Sequence, residues 1–161
     1  MNLLIRLFWL LATVRFRAPL GILDDSVRHF VVWPNDLDLN LHMNNGRYLT
    51  VMDLGRFDLT FRTGLGRLLF QRRWRPVVGG ARITYRRSLD PFQRYELHTR
   101  LHAWDAKWVY LEQRFIRNGQ VHAEAMVKAI FLGPGGSVPT AEVGAALGLP
   151  EVSPNPVPDF S

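Results

Sequence analysis

Between Trp33 and Leu49 the chain reads WPNDLDLNLHMNNGRYL, which crowds Asp36, Asp38, Asn40, His42, Asn44 and Asn45 into one short segment. A carboxylate and an imidazole this close together are the groups that serve as general base, nucleophile or water-positioning group. The pattern downstream is helical, so the segment runs straight into a helix N-terminus. There, unpaired backbone N–H groups and the positive end of the helix dipole stabilise a developing oxyanion. Every one of these residues also has a structural use. Asp36 can end a strand and cap a turn, and Asp38 can cap the loop. His42 can be a buried, hydrogen-bonded histidine. Of Asn44 and Asn45, one can be the helix N-cap while the other bonds the loop backbone. Spacing alone does not choose between the two sets of roles.

The elements that must position this segment follow from periodicity. RHFVVW, Arg28 to Trp33, reads as a short strand ended by Pro34. From Asn44, apolar residues recur at helical spacing (Tyr48, Val51, Met52, Leu54, Phe57, Leu59, Phe61) up to Gly64, which predicts a largely buried central helix. An arginine-rich connection follows Gly64 and Gly66. Four strand-like runs come next, approximately 76–87, 93–104, 107–117 and 120–132. Asp90-Pro91, Asp105-Ala106 and Asn118-Gly119 separate them, the last a strong hairpin signal. Thr140 to Leu147 reads as a short helix capped by Thr140, ahead of a proline-rich tail. One helix cannot cover both faces of such a sheet. The economical arrangement wraps an antiparallel sheet around the helix and pairs an open face or edge with a second subunit. This is an α+β domain over residues 21–135, flanked by an N-terminal amphipathic helix (1–20) and a C-terminal short helix and tail (136–161).

Composition bounds the chemistry. With 161 residues and 47% hydrophobic content the chain suffices for one well-cored domain. Cysteine is absent, which removes disulfides, thiolate metal sites and a cysteine nucleophile, and fits a reducing compartment such as the cytoplasm. The net charge of +6 is carried almost wholly by arginine, a residue suited to phosphate. Nucleic acid, an acidic membrane surface and CoA phosphates all fit it. Charge alone does not choose among them, and most of these arginines read as a solvated surface. No nucleic-acid recognition motif accompanies those arginines. His42 has no ligand set at zinc spacing, so no metal and no cofactor are expected. In MNLLIRLFWLLATVRFRAP, the charge-free run from Leu7 to Val14 falls far short of the roughly 20 apolar residues of a spanning helix. Asn2, Arg6, Thr13 and Arg17 share one narrow polar stripe. Two readings stand: residues 1–17 lie on a membrane surface, or they pack against the domain or a partner subunit.

The run Asp-Leu-Asp-Leu-Asn-Leu-His-Met-Asn-Asn-Gly-Arg-Tyr, Asp36 to Tyr48, resembles the signature of the 4-hydroxybenzoyl-CoA thioesterase-like hotdog family. It is similar to the Asp-x-Asp-x-Asn-x-His-x-Asn-Asn-x-x-Tyr form of acyl-acyl-carrier-protein thioesterases, and the segment also resembles the thioesterase-superfamily-member-6-like group. The likeness covers roughly residues 25 to 132. It implies a hotdog fold, five or six antiparallel strands around one long central helix, in a homodimer or dimer of dimers. It implies hydrolysis of an acyl-CoA or acyl-carrier-protein thioester, with Asp38 as general base or nucleophile and Asn40 and His42 holding water and assisting proton transfer. Asn45 and Tyr48 match positions that shape the loop and the helix start. Arg72, Arg73 and Arg86, with Arg75 and Arg87, are candidates for the substrate phosphates, some from a neighbouring subunit. The carrier-protein enzymes use further acidic or cysteine residues from a later strand; cysteine is absent here, and which second acid helps is open. Asp53 and Asp58 on the central helix read as structural or interface groups. Two alternatives remain: an acyl-binding protein without catalysis, held at a membrane surface, and a hotdog dehydratase or hydratase.

Overall fold

A computed structural model describes residues 2–161; Met1, the first residue of the predicted N-terminal helical segment, lies outside the described residues. The elements in order are α1 (Leu3–Val14), β1 (Ser26–Val31), a 3-10 turn (Pro34–Asp36), α2 (Asn45–Arg62), α3 (Leu65–Arg72), β2 (Arg75–Tyr85), β3 (Arg94–Trp104), β4 (Val109–Arg117), β5 (Gln120–Gly133), β6 (Gly136–Val138) and α4 (Thr140–Leu147). The strands form one antiparallel sheet in the order β1-β3-β4-β5-β2, and β6 pairs with the end of β5.

Alternation decides which strand face meets α2. Tyr95, Leu97, Thr99 and Leu101 of β3 are buried at every second position. β4 and β5 join through Asn118 and Gly119, both left-handed at φ 50° and 73°, as a two-residue hairpin turn requires. The inward side of α2 buries Tyr48, Val51, Met52, Leu54 and Leu59. At Gly55 the helix lies so close to the sheet that an added Cβ would stand 2.5 Å from the Thr99 hydroxyl. Behind it, buried Gln113 donates to the Met52 carbonyl (3.0 Å) and to Thr99 (2.9 Å), and accepts from Arg56 (2.7 Å). The core divides along α2. One cluster, with Val32, Met43, Tyr48 and Phe115, sits under the N-terminal half of the helix. The other, with Leu69, Trp74, Trp104 and Phe131, sits beyond its C-terminal half.

Three expectations need correction. The first strand is Ser26–Val31, two residues earlier than its apolar run suggests. The arginine-rich stretch after Gly64 is a helix, α3, because Leu65, Leu68 and Leu69 find the second core cluster, while Gly64 (φ 79°) and Arg73 (φ 55°) close its two ends. Thr140 does not cap α4: Pro139 holds the cap position, and the Thr140 hydroxyl donates to the Asp105 carbonyl, pinning α4 to the β3–β4 turn.

The two sheet edges are treated differently. Along β1, Arg6 donates to the Val31 carbonyl (3.4 Å) and Arg17 to the Val27 carbonyl (2.9 Å), so the N-terminal segment covers that edge. Each arginine also reaches a buried carboxylate, Asp36 for Arg6 and Asp58 for Arg17. Asp58 further binds Arg62 (3.1 Å) and Ser26 (2.6 Å), a structural role in keeping with its place on the helix. The polar stripe of α1 therefore faces the domain, and Leu4, Ile5, Phe8 and Trp9 face outward. Among the described residues β2 pairs only with β5, and nearly all of its residues are exposed.

Candidate active site

The loop from Asp36 to Asn44 is held at its base and free at its tip. Asp36 is 1% exposed and its carboxylate gathers three elements. It accepts from Arg6 of α1, from the Trp33 N–H (2.9 Å), and pairs with Arg47 in the first turn of α2 (3.3 Å). Its backbone carbonyl accepts the Asn44 N–H at 2.7 Å. Asp36 thus does cap a turn, and ties α1 and α2 to it as well. The Met43 N–H donates to the Leu89 carbonyl (2.8 Å), which fixes the other side of the loop to the β2–β3 connection.

Between these anchors the chain makes a tight excursion. The Asp38 N–H donates to the His42 carbonyl (2.9 Å) and the Leu41 N–H to the Asp38 carbonyl (3.1 Å). Asp38 is half-buried, and one carboxylate oxygen accepts the Asn40 N–H at 2.8 Å; its other oxygen has no hydrogen-bond partner among the described residues. Leu41 sits at φ 59°, a left-handed conformation that a leucine adopts only at a cost of order 1 kcal/mol. Leu39 and Leu41 at the tip are exposed.

The imidazole of His42 is 49% exposed, which corrects the buried-histidine alternative, and its Nε2 lies 3.6 Å from a carboxylate oxygen of Asp90. Asp90 is held by Gln93, whose amide donates to it at 3.0 Å. The sequence offers Asp90-Pro91 only as a turn signal; that this turn meets the motif follows from the Met43–Leu89 bond, which no local pattern announces. Asn44 is the N-cap, its side chain accepting the Gly46 N–H at 2.8 Å. The Arg47 N–H is taken by the Asn44 carbonyl, which leaves the Asn45 amide as a first-turn donor without a protein acceptor among the described residues.

Tyr48 is buried rather than solvent-facing. Burial pushes its phenol up to about 12, against a backbone hydrogen bond at Leu89. It packs edge-on to Tyr85 (5.1 Å) and Phe115 (4.8 Å), and the Tyr85 hydroxyl donates to the Asn45 carbonyl at 3.0 Å. Asp38, Asn40, His42, Asn45 and Tyr48 are thus gathered at one end of the molecule. Of the candidate arginines, Arg86, next to Tyr85, lies at that end, whereas Arg72 and Arg73 lie at the other end of β2. Arg72 and Arg73 precede β2, where Arg72 lies over Trp74 and 3.7 Å from Glu142. Arg86 follows β2 and pairs with Glu124. The eleven residues of β2 between them span roughly 33 Å.

A cavity of about 980 Å³ opens beside the C-terminal half of α2, lined by Phe57, Phe61, Leu69, Trp74, Leu101 and Phe131 among others. Its polar margin holds Asp53, Arg56 and Arg73. Asp53 pairs with Arg56, whose guanidinium burial lowers its proton affinity. None of the loop residues 36–44 lines this cavity.

Residues 32–159 match the sequence profile of the thioesterase-like superfamily. Protein THEM6 of Danio rerio is 36% identical over 129 residues, covering 80% of this chain and 62% of that protein. Protein THEM6 of Drosophila melanogaster is 37% identical over 116 residues, covering 70% of this chain and 60% of that one. The chain thus spans less than two thirds of the length of either. Among solved structures, the probable thioesterase YbaW from Escherichia coli superposes with a TM-score of 0.71 at 22% identity, covering 75% of this chain and 95% of that one. The BH1999 gentisyl-coenzyme A thioesterase gives 0.64 at 21% identity, over 76% and 99%. SAV2348 from Staphylococcus aureus, solved in complex with CoA, gives 0.67 at 12% identity, over 89% and 94%. The structures establish the hotdog fold, and the sequence match establishes the family: the chain belongs to the thioesterase-like superfamily.

Proposed function

We propose that the chain hydrolyses an acyl thioester of CoA or of an acyl carrier protein, with Asp38 as the catalytic carboxylate. The observation that carries this is the half-buried Asp38, with one carboxylate oxygen unengaged, on a loop whose base is locked and which leads into the open Asn45 amide. As a general base Asp38 takes a proton from water while the water oxygen bonds to the thioester carbonyl carbon. The Asn45 amide receives the charge that develops on the carbonyl oxygen. Collapse breaks the C–S bond, and the thiolate leaves and is protonated. A thiol has a pKa near 8.5, so departure needs no strong acid. His42, beside Asp90, and Asn40 hold the water or return the proton. As a nucleophile, Asp38 would instead bond to the carbonyl carbon and expel the thiolate, leaving an anhydride for water to open.

The site is completed by a second copy. An unpaired eleven-residue edge such as β2 is normally covered. A two-fold axis through the middle of β2 pairs it antiparallel with itself. That places the partner's end of the strand that bears Arg72 and Arg73 beside Arg86 and Arg87, and the partner's apolar cavity beside Asn45 and Tyr85. The acyl chain then occupies the cavity and the arginines meet the phosphates. The exposed apolar side of α1 rests on a membrane surface. No helix among the described residues is long and apolar enough to cross a membrane.

The test is steady-state hydrolysis of short, long and aromatic acyl-CoAs, followed by acyl-carrier-protein thioesters. Turnover on any of them is the expected result. Saturable binding without turnover across all of them would contradict hydrolysis and support an acyl-binding role.

A further inference from the structure

The N-terminal segment is inside out for a helix that merely packs on its domain. Arg6 and Leu10 are buried against it, while Leu4 (69% exposed), Phe8 (72%), Trp9 (63%) and Phe16 (77%) face outward. Next to this apolar surface lies a second cavity of about 840 Å³ between α1, β1 and the β4–β5 turn. Trp9 stands at its edge and Arg6, Arg28, Arg94 and Arg117 line it. Arg6 is neutralised by Asp36, and Arg28 lies 3.7 Å from Asp58. Arg94 and Arg117 have no carboxylate within ion-pair distance among the described residues, and the Arg28 Nε is buried without a hydrogen-bond partner. One acid lines the cavity, Glu96, and it is engaged by His98 at 2.8 Å. The surface is therefore apolar on α1 and cationic immediately beside it, the order of a bilayer from acyl chains to phosphate.

We propose that this cavity seats the phosphate of an anionic phospholipid, with Arg94 and Arg117 as its ligands and Phe8 and Trp9 inserted beside it. The site rests on the membrane reading of α1 and adds the headgroup class it selects. It lies at the β1 edge of the sheet, opposite the β2 edge assigned to substrate and partner, so lipid binding and hydrolysis are separable.

Sedimentation of the full chain with phosphatidylcholine vesicles, with and without phosphatidylglycerol, tests it. Each arginine contributes roughly fivefold to anionic-vesicle affinity. The double variant Arg94→Gln/Arg117→Gln is expected to lose roughly 25-fold on the anionic vesicles and nothing on the neutral ones. Phe8→Ala/Trp9→Ala is expected to weaken both. A charge-matched control, Arg67→Gln/Lys107→Gln, changes exposed cations away from the cavity. An equal loss from that control would mean diffuse charge attraction and overturn the site. Equal binding of both vesicle types, unaffected by Arg94→Gln/Arg117→Gln, would keep α1 as an anchor and also overturn it. Binding to neither vesicle would remove the membrane reading itself.

Discussion

Asp36 and Asp38 are separated by one leucine, yet they live in different physical settings. Asp36 is out of water and shared by Arg6, Trp33 and Arg47, groups drawn from three elements. Asp38 is half in water and, among the described residues, its side chain holds only the Asn40 N–H two residues on. A buried carboxylate surrounded by cations is fixed and its charge is spent on structure. A partly solvated one on a tight turn keeps an oxygen available for chemistry. On the proposed mechanism, the scaffold's rigidity and the site's reactivity are divided between neighbouring residues of the same type.

If that division is right, the largest stability effect belongs to Asp36. Asp36→Asn strands the buried Arg6 guanidinium, and should cost about 3–5 kcal/mol in denaturant unfolding. A loss below about 1 kcal/mol would show that α1 and its arginine are not part of the folded unit. Asn44→Ala, which removes the N-cap below the same loop, should cost about 1 kcal/mol in the same assay. Smaller still is the effect at Tyr48. Its folded phenol is held up to about 12 by burial, whereas an unfolded tyrosine titrates near 10. The unfolded chain therefore releases this proton first, and the stability tied to the neutral phenol is intact below pH 10 and lost as pH rises toward 12. Tyr48→Phe should shallow the alkaline fall in melting temperature; an unchanged slope would place the titration elsewhere. Asp38→Asn keeps the oxygen that accepts from Asn40, and its stability should stay within about 0.5 kcal/mol of wild type.

Much of the fold was legible because its signals are local. Asn118-Gly119 sets a turn by φ alone, β3 alternates at period two, and Asn44 caps α2 as its side chain dictates. α3 was hidden because Gly64, Gly66 and the arginines look like a loop, while Leu65, Leu68 and Leu69 are decided by a core cluster distant in sequence. The motif's polar residues were legible as a group, but the division of labour inside it was not. Arg6 lies thirty positions from Asp36, and no spacing rule says which of two aspartates it will bury. The polar stripe of α1 was visible, yet which side would face the domain depends on β1 presenting open carbonyls to Arg6 and Arg17. Asp90 escaped notice because its contact with His42 depends on where the β2–β3 connection packs.

The most direct measurement is kcat/KM of Asp38→Asn on the best thioester substrate, with its melting curve recorded in parallel. Loss of a positioned carboxylate should lower kcat/KM by roughly 10²–10⁴-fold with the melting temperature unchanged. Near-normal turnover in a folded variant would take Asp38 out of the mechanism and contradict the account.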